Sequence, residues 1–432
     1  MRIIQITPGS GESFYCENCL RDNSLLKALR KGGHETLMIP MYLPPSSDGV
    51  EMVRTAPIFF GGINVYLQQK SALFRHTPRW IDRLFDWRRL LDWAARRAGM
   101  THAGDLAEAT LSILRGEQGR QRKELKRLVA WVKSQGRPDV VCLSNALLVG
   151  LARTIKAELT VPIVCLLQDE DEFLDALEEA DRARAWAALA RRAGDVDFFI
   201  AASREYAARM TDRLGLPADR VEVIYSGIDV EDYAPSPQPP QRPTIGFLSR
   251  MCYGKGLDLL VEAFAALKAD KGLKDLRLRA CGGMTSADRT YVEGIAARLA
   301  RAGLLENVEF LPNLPQPQRV EFLRSLSVLS VPERTGEAAG RYVKEALACG
   351  VPVVQPANGV FPELIEATGG GLLFEPRNVD SLVAQLRRLL LEPALAQSMG
   401  RQGRQAVLEK FNVALMARQY ERVYSRLVER NP

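Results

Sequence analysis

Histidine is nearly missing from this chain. His34, His76 and His102 are the only three in 432 residues. A zinc site built on imidazoles, or a histidine base at the end of a core strand, has little to draw on. Cysteine does not fill the gap. Cys16 and Cys19 form a lone C-x-x-C, and no second pair or nearby histidine completes the four ligands that zinc needs, so no metal is expected. The seven cysteines are odd in number, and Cys142, Cys165, Cys252, Cys281 and Cys349 sit in apolar runs. They read as reduced, buried thiols, not as a disulfide framework. No apolar run approaches the ~18–20 residues that a spanning helix needs. The start, MRIIQITPGSG, has one basic residue and a short apolar run before a turn, unlike a secretory signal, so a cytoplasmic location is expected. Charge of one sign is also scarce. A formal net charge of +6 fits anionic ligands or transient contact with anionic lipid, but is too weak and scattered for nucleic acid. The spaced glycine fingerprint of dinucleotide-binding folds is absent as well, which leaves nicotinamide binding poorly supported.

What is present is an ordinary globular composition, 47% hydrophobic and 25% charged, in a chain long enough for two or three domains. Short runs rich in β-branched and aromatic residues alternate with amphipathic helical stretches. RIIQIT, ETLMIPM, DVVCL, PIVCLL, DFFIAA and VEVIY read as strands of one parallel α/β unit. The segment Ala234–Pro243, with five prolines in ten residues, cannot be helix or central strand and reads as a linker. Beyond it the alternation resumes with PTIGFLS, LRLRA, VEFL, SVLSV, VPVVQ and GLLF. Two α/β units joined in this way leave a crevice between their strand ends, where such sheets bind ligands. Val413–Val428 reads as a terminal helix.

Four constellations carry candidate chemistry. The first is GFLSRMCYGKG, in which a strand runs into a loop bearing Arg250 and Lys255 and then a helix. Two cations beside a helix N-terminus suit a diphosphate, although a surface turn would also hold them. The second is EAAGRYVKE, in which Glu337 should lie in a loop and Glu345 on the first turns of a helix. Both acids suit sugar hydroxyls, and Gly340 and Arg341 at the helix start suit phosphate oxygens. Helix capping with a solvated face is the plainer alternative. The third is the tight turn at Gly9 and Gly11 after the first strand, where a backbone can approach a ligand closely. The fourth is a pair of strand ends. Ser144 and Asn145 follow one, and Gln168 and Asp169 follow the next. They are candidates for contact with a hydroxyl acceptor, or, for Ser144 and Asn145, for helix capping. Apart from these, residues 75–100 carry seven arginines, three tryptophans and a helical stripe of Trp80, Leu84, Trp87 and Leu91. That stripe is either a helix packed on its own domain or a basic amphipathic surface for peripheral membrane contact.

Together these segments resemble glycosyltransferase family 4. GFLSRMCYGKGLDLLVEAF is similar to the family's diphosphate loop, ERTGEAAGRYVKEALACGVPVV to its E-x7-E segment, IYSGIDVEDYAP to the stretch before its linker, and PELIEATGGGLLFEPRNVDSLVAQL to its closing segment. FFGGINVYL is similar to the starch and glycogen synthase branch. Ala338 and Ala339 depart from the family's usual Pro-Phe, and Gln168 or Asp169 stands where the family has an acceptor-side histidine. The resemblance implies an α/β fold of the GT-B type, two Rossmann-like domains with a cleft between them and a C-terminal helix crossing back. The expected division is 1–235 for the acceptor side, with an insertion at about 69–137, then 243–412 for the nucleotide-sugar side, and 413–432 for the returning helix. It implies a hexosyltransferase that takes UDP-, GDP- or ADP-sugar as donor, needs no cofactor and retains anomeric configuration. Arg250, Lys255 and Glu337 would be catalytic. Gly9, Gly11, Gly340, Arg341 and Glu345 would join Arg250 and Lys255 in holding the donor. A nucleotide-sugar epimerase and a non-catalytic nucleotide-sugar-binding protein share the architecture and remain the alternatives.

Overall fold

The computed structural model describes residues 1–8, 17–41, 59 and 103–430. They form two six-stranded, all-parallel sheets. The first holds β1 (Arg2–Thr7), β2 (Glu35–Pro40), β3 (Val140–Leu143), β4 (Ile163–Leu167), β5 (Phe198–Ala201) and β6 (Val221–Val223), in the order β2-β1-β3-β4-β5-β6. The second holds β7 (Thr244–Leu248), β8 (Arg277–Gly282), β9 (Val308–Pro312), β10 (Val328–Leu329), β11 (Val353–Pro356) and β12 (Gly371–Phe374), in the order β12-β11-β10-β7-β8-β9. Parallel sheets are covered on both faces, so their central strands are continuous apolar runs, and β3, β4, β5 and β7 are buried throughout.

Strand order reverses between β1 and β3 in the first sheet, and between β7 and β10 in the second. Crevices open outside the carboxyl ends of the strands at such reversals. Those ends carry the segments singled out by their residues. β1 leads in sequence toward Gly9 and β3 to Ser144. β7 leads to Arg250 and Lys255, and β10 to Glu337.

One face of the first sheet is covered by Leu25, Leu26 and Leu29 of the helix Glu17–Lys31, together with Met416, Tyr420, Val423 and Tyr424 of the helix Val413–Glu429. The last helix thus packs on the first sheet. On the other face lie the helices Ala103–Leu114 and Arg122–Ser134, whose Leu111, Leu125 and Leu128 are part of the core. The stretch after β3 forms a tight turn, Ala146–Leu151, and then a helix, Ala152–Leu159. The Asn145 side chain accepts from Leu147 N at 3.1 Å and tightens that first turn. Residues 75–100, with their Arg and Trp stripe, lie outside the described residues. Among the described residues no helix is long and apolar enough to cross a membrane.

Candidate functional site between the two sheets

Lys255 ends a short turn, Tyr253–Lys255, between β7 and the helix Leu257–Lys268. Gly256 follows at φ 72°, and a Cβ there would lie 2.0 Å from the Pro332 carbonyl oxygen. Only glycine lets the loop sit this close to the segment after β10. The contact sets the Lys255 ammonium 2.9 Å from Glu333, 3.6 Å from Glu172 and 3.9 Å from Glu337. Burial works against its charge, but Glu337, Glu333, Glu172 and Asp169 together outweigh it and hold its pKa well above the usual lysine value. Glu337 is buried, and burial raises its carboxyl pKa against the opposing pull of Lys255.

Gly340, at φ 60°, leads into the helix Arg341–Ala348. Glu345 lies within that helix, fully buried, and accepts from Arg341 Nε at 2.7 Å and from the Tyr233 hydroxyl at 2.9 Å. Ala338 and Ala339, the departures from the family's Pro-Phe, pack into the core of the first domain.

The first domain answers with carboxylates. Asp169 follows β4 with φ 55°, a left-handed backbone that non-glycine residues adopt at a cost. Its Oδ1 accepts from Ala338 N at 2.9 Å, across the crevice. Burial, reinforced by Glu337, pushes its pKa up to about 7. Glu17, the first residue of its helix, accepts from Arg341 N at 3.2 Å. Burial and Glu337 hold that carboxyl well above the usual range. Glu170 lies one residue further on, accepting from Ala146 N and Gln168 N at 2.7 Å each and from the Tyr206 hydroxyl at 2.8 Å. Burial pushes it up to about 7.

Ion pairs and hydrogen bonds bring Lys255, Glu337, Asp169 and Arg341 together between the two sheets, with Gly340 preceding Arg341 and Glu345 fully buried behind it. Four other residues stand apart from that cluster. Arg250 is clamped by Asp288 through two contacts of 3.0 Å, with its side chain 43% exposed. Gln168 is tied to Arg21 and to the Ser144 carbonyl inside the first domain. Ser144 is buried, and Asn145 is the helix cap. Gly9 and Gly11 lie outside the described residues, as does Cys16, while Cys19 is half-buried on the first helix. Glu17, Glu333 and Lys344 belong to the neighbourhood but were not singled out by their residues. Glu333 obeys the same strand-end logic as Glu337, since it follows SVLSV by two positions. Nothing local marks Glu17 or Lys344.

Chemically, the crevice offers the half-buried Lys255 ammonium, main-chain N–H groups at a helix start that bind Asp169 and Glu17, and several carboxylates. The first two suit a group that gains negative charge, and the last suit hydroxyls. Two parallel sheets with facing strand ends and a last helix returning to the first define an α/β protein of the GT-B type.

Comparison with known proteins agrees. A family model described as Glycosyltransferase Family 4 matches residues 107–232, and one described as Glycosyl transferases group 1 matches residues 230–406. The chain belongs to this family of glycosyltransferases. A GDP-mannose-dependent alpha-(1-6)-phosphatidylinositol monomannoside mannosyltransferase of Mycolicibacterium smegmatis is 28% identical over 240 residues, covering 52% of this chain and 61% of that protein. A D-inositol 3-phosphate glycosyltransferase of Kribbella flavida is 29% identical over 216 residues, covering 48% of this chain and 51% of that protein. The chain thus spans about half to three fifths of the length of these curated relatives. Sucrose-phosphate synthase from Thermosynechococcus elongatus superposes with a TM-score of 0.72 at 19% identity, covering 99% of both chains. Anabaena HepE in complex with UDP gives 0.70 at 17% identity, covering 99% of this chain and 100% of that one. These two likenesses speak for the fold.

Proposed function

We propose that this protein is a retaining glycosyltransferase that moves a sugar from a nucleotide-diphosphate sugar to a hydroxyl acceptor. The observation that carries the reading is the Lys255 ammonium, its side chain 14% exposed, set between Glu333 and Glu337 beside the start of the helix Arg341–Ala348 and facing Asp169 of the other domain. As the glycosidic bond breaks, the leaving diphosphate gathers negative charge. Lys255 is a preorganised donor for that charge, the N–H groups of Ala338 and Arg341 would join it on release from Asp169 and Glu17, and Arg250 supplies a second cation at the rim. Glu337 takes sugar hydroxyls and Glu345 the ribose. Asp169 lies on the acceptor side, where its raised pKa suits a group that exchanges a proton near neutrality. In a same-face substitution the leaving phosphate helps to deprotonate the acceptor, so no enzyme nucleophile is required. The donor base is read as uracil or guanine, by analogy with the GDP-mannose-dependent relative and the UDP-bound structural neighbour. The division into 1–235, 243–412 and 413–432 belongs to the same reading, with the donor on the second part and the acceptor on the first.

The test is a thermal-shift panel of UDP-, GDP- and ADP-sugars, followed by transfer assays with the stabilising donor and proton NMR of the first-formed product. A product with the donor's anomeric configuration is expected. Inversion would overturn the retaining mechanism. Release of an altered nucleotide-sugar without any acceptor would favour an epimerase. Binding without turnover would favour a non-catalytic protein.

A further inference from the structure

Lys344 has no part in the chemistry described so far. It stands on the helix Arg341–Ala348, next to Glu345, and is fully buried. A lysine removed from water must find acceptors or give up its proton. Its Nζ donates to the Ser226 carbonyl oxygen at 2.8 Å and contacts Ser226 Oγ at 2.5 Å. It also lies 5.8 Å from the centre of the Phe411 ring. Ser226 and Phe411 belong to the two stretches of chain that pass between the domains, and these are stitched together where they cross. Ile228 N donates to Phe411 O, and Val413 N to Ile228 O, each at 2.9 Å. A Cβ on Gly227 would lie 2.4 Å from the Asn412 carbonyl oxygen, so the crossing admits no side chain there. One side chain of the Glu337–Glu345 segment thus touches both strands of the hinge at their closest approach.

Packing does not call for a lysine at this position. Methionine has a similar length and carries no charge to desolvate. The ionisable groups that face the amine are Glu17, Arg341, Glu337 and Glu345. Burial first, and then Arg341, disfavour its charge, while the carboxylates favour it, which leaves its pKa at about 7.

We infer that Lys344 is a positioning residue that pins the Glu337–Glu345 segment to the hinge, so that the angle between the domains sets where Glu337 and Glu345 stand relative to Asp169. The consequence for turnover rests on the sugar-transfer reading; the pin itself does not. The test uses Lys344→Met, Lys344→Arg and Ser226→Ala in the full chain. For Lys344→Met, kcat is expected to fall about 10- to 100-fold, as small misplacements near a reacting centre do, with the donor KM nearly unchanged. Amide hydrogen exchange at 226–228 and 411–413 is expected to speed up in the same variant, a sign that the crossing has loosened. Lys344→Arg should recover part of both effects, and Ser226→Ala should show both in weaker form. Unchanged exchange with unchanged kcat would overturn the inference. So would a loss of melting temperature with normal kcat, which is what a merely structural side chain gives. If Lys344→Met does not fold, Ser226→Ala decides on the same two readouts. If the wild-type protein transfers no sugar, the functional reading fails, and exchange alone decides the pin.

Discussion

The two rims of the crevice are built differently. On the second-domain rim, Lys255, Glu333 and Glu337 come from two loops that flank one strand-order reversal, each loop runs straight into its helix, and Glu345 lies in the second of those helices. On the first-domain rim, Asp169 is held out in a left-handed backbone while its neighbours turn inward. Gln168 binds Arg21 and Ser144, and Glu170 binds Tyr206 and two main-chain amides. One rim is made of contiguous segments, and the other of single residues fixed by partners far along the chain. A change on either rim disturbs a network, which on the second centres on Lys255 with Glu172, Glu333 and Glu337, and on the first on Gln168 and Glu170.

The sharpest way to break this contrast is to remove charge on each side. Lys255→Ala should lower turnover about 100-fold or more, the usual scale for losing one preorganised donor. Arg250→Ala should cost about tenfold, because Arg250 is half-exposed and already satisfied by Asp288. Steady-state kinetics on both variants checks the order, and equal losses would erase the distinction between the two cations. Next in size is Asp169→Asn. Asparagine tolerates the left-handed backbone, so the loop should survive while turnover falls about tenfold and the pH-rate profile loses its inflection near pH 7.

Stability against pH gives a smaller and more general contrast. The carboxyls of Asp169 and Glu170 have folded pKa values raised to about 7. Stability linked to them is fully present below the unfolded carboxyl pKa of about 4 and is lost as pH rises toward 7. Lys344 is lowered to about 7, so its contribution is fully present above about pH 10.5 and is lost as pH falls back to 7. The melting temperature should therefore dip near neutrality as far as these groups decide it. Glu170→Gln should flatten the acid limb, and Lys344→Met the alkaline limb. Calorimetry from pH 5 to 10 reads both. The smallest effect belongs to Asn145→Ala, which removes a helix cap. It should cost about 1 kcal/mol of stability and leave turnover within about twofold.

The strands were legible because both faces of each sheet are covered. Runs such as PIVCLL and SVLSV admit few other readings once a Pro-rich linker separates two series of them. Lys255 and Glu337 drew attention because each lies in a short run between a strand and a helix, and Glu345 because it follows in that helix, although Lys255 meets Glu333 and Glu337 from a distant part of the chain and Glu345 meets Tyr233. The first rim was not legible. Whether Gln168 or Asp169 faces the crevice depends on Arg21, nearly 150 residues earlier, and on the backbone twist at Asp169. Asn145 presented two readings, of which the cap is seen in its bond from Leu147 N. Glu17 looks like any acid in the first turn of a helix until its contact with Arg341 N is seen. Lys344, between two acids of a known motif, reads as a solvated side chain, and only the hinge explains its burial.

The return of the helix Val413–Glu429 to the first sheet has a consequence for how the protein is made. Ile3, Val140, Val164 and Ile200 depend for cover on residues that leave the ribosome only after the whole second domain. The second domain can close its core as soon as it is synthesised. The first, although translated earlier, keeps an apolar face open until the helix Val413–Glu429 has emerged. Its completion is then a long-range docking step, slow by the measure of sequence separation and exposed to aggregation in the interval. Of the two domains, the one made first is the one that closes its core last.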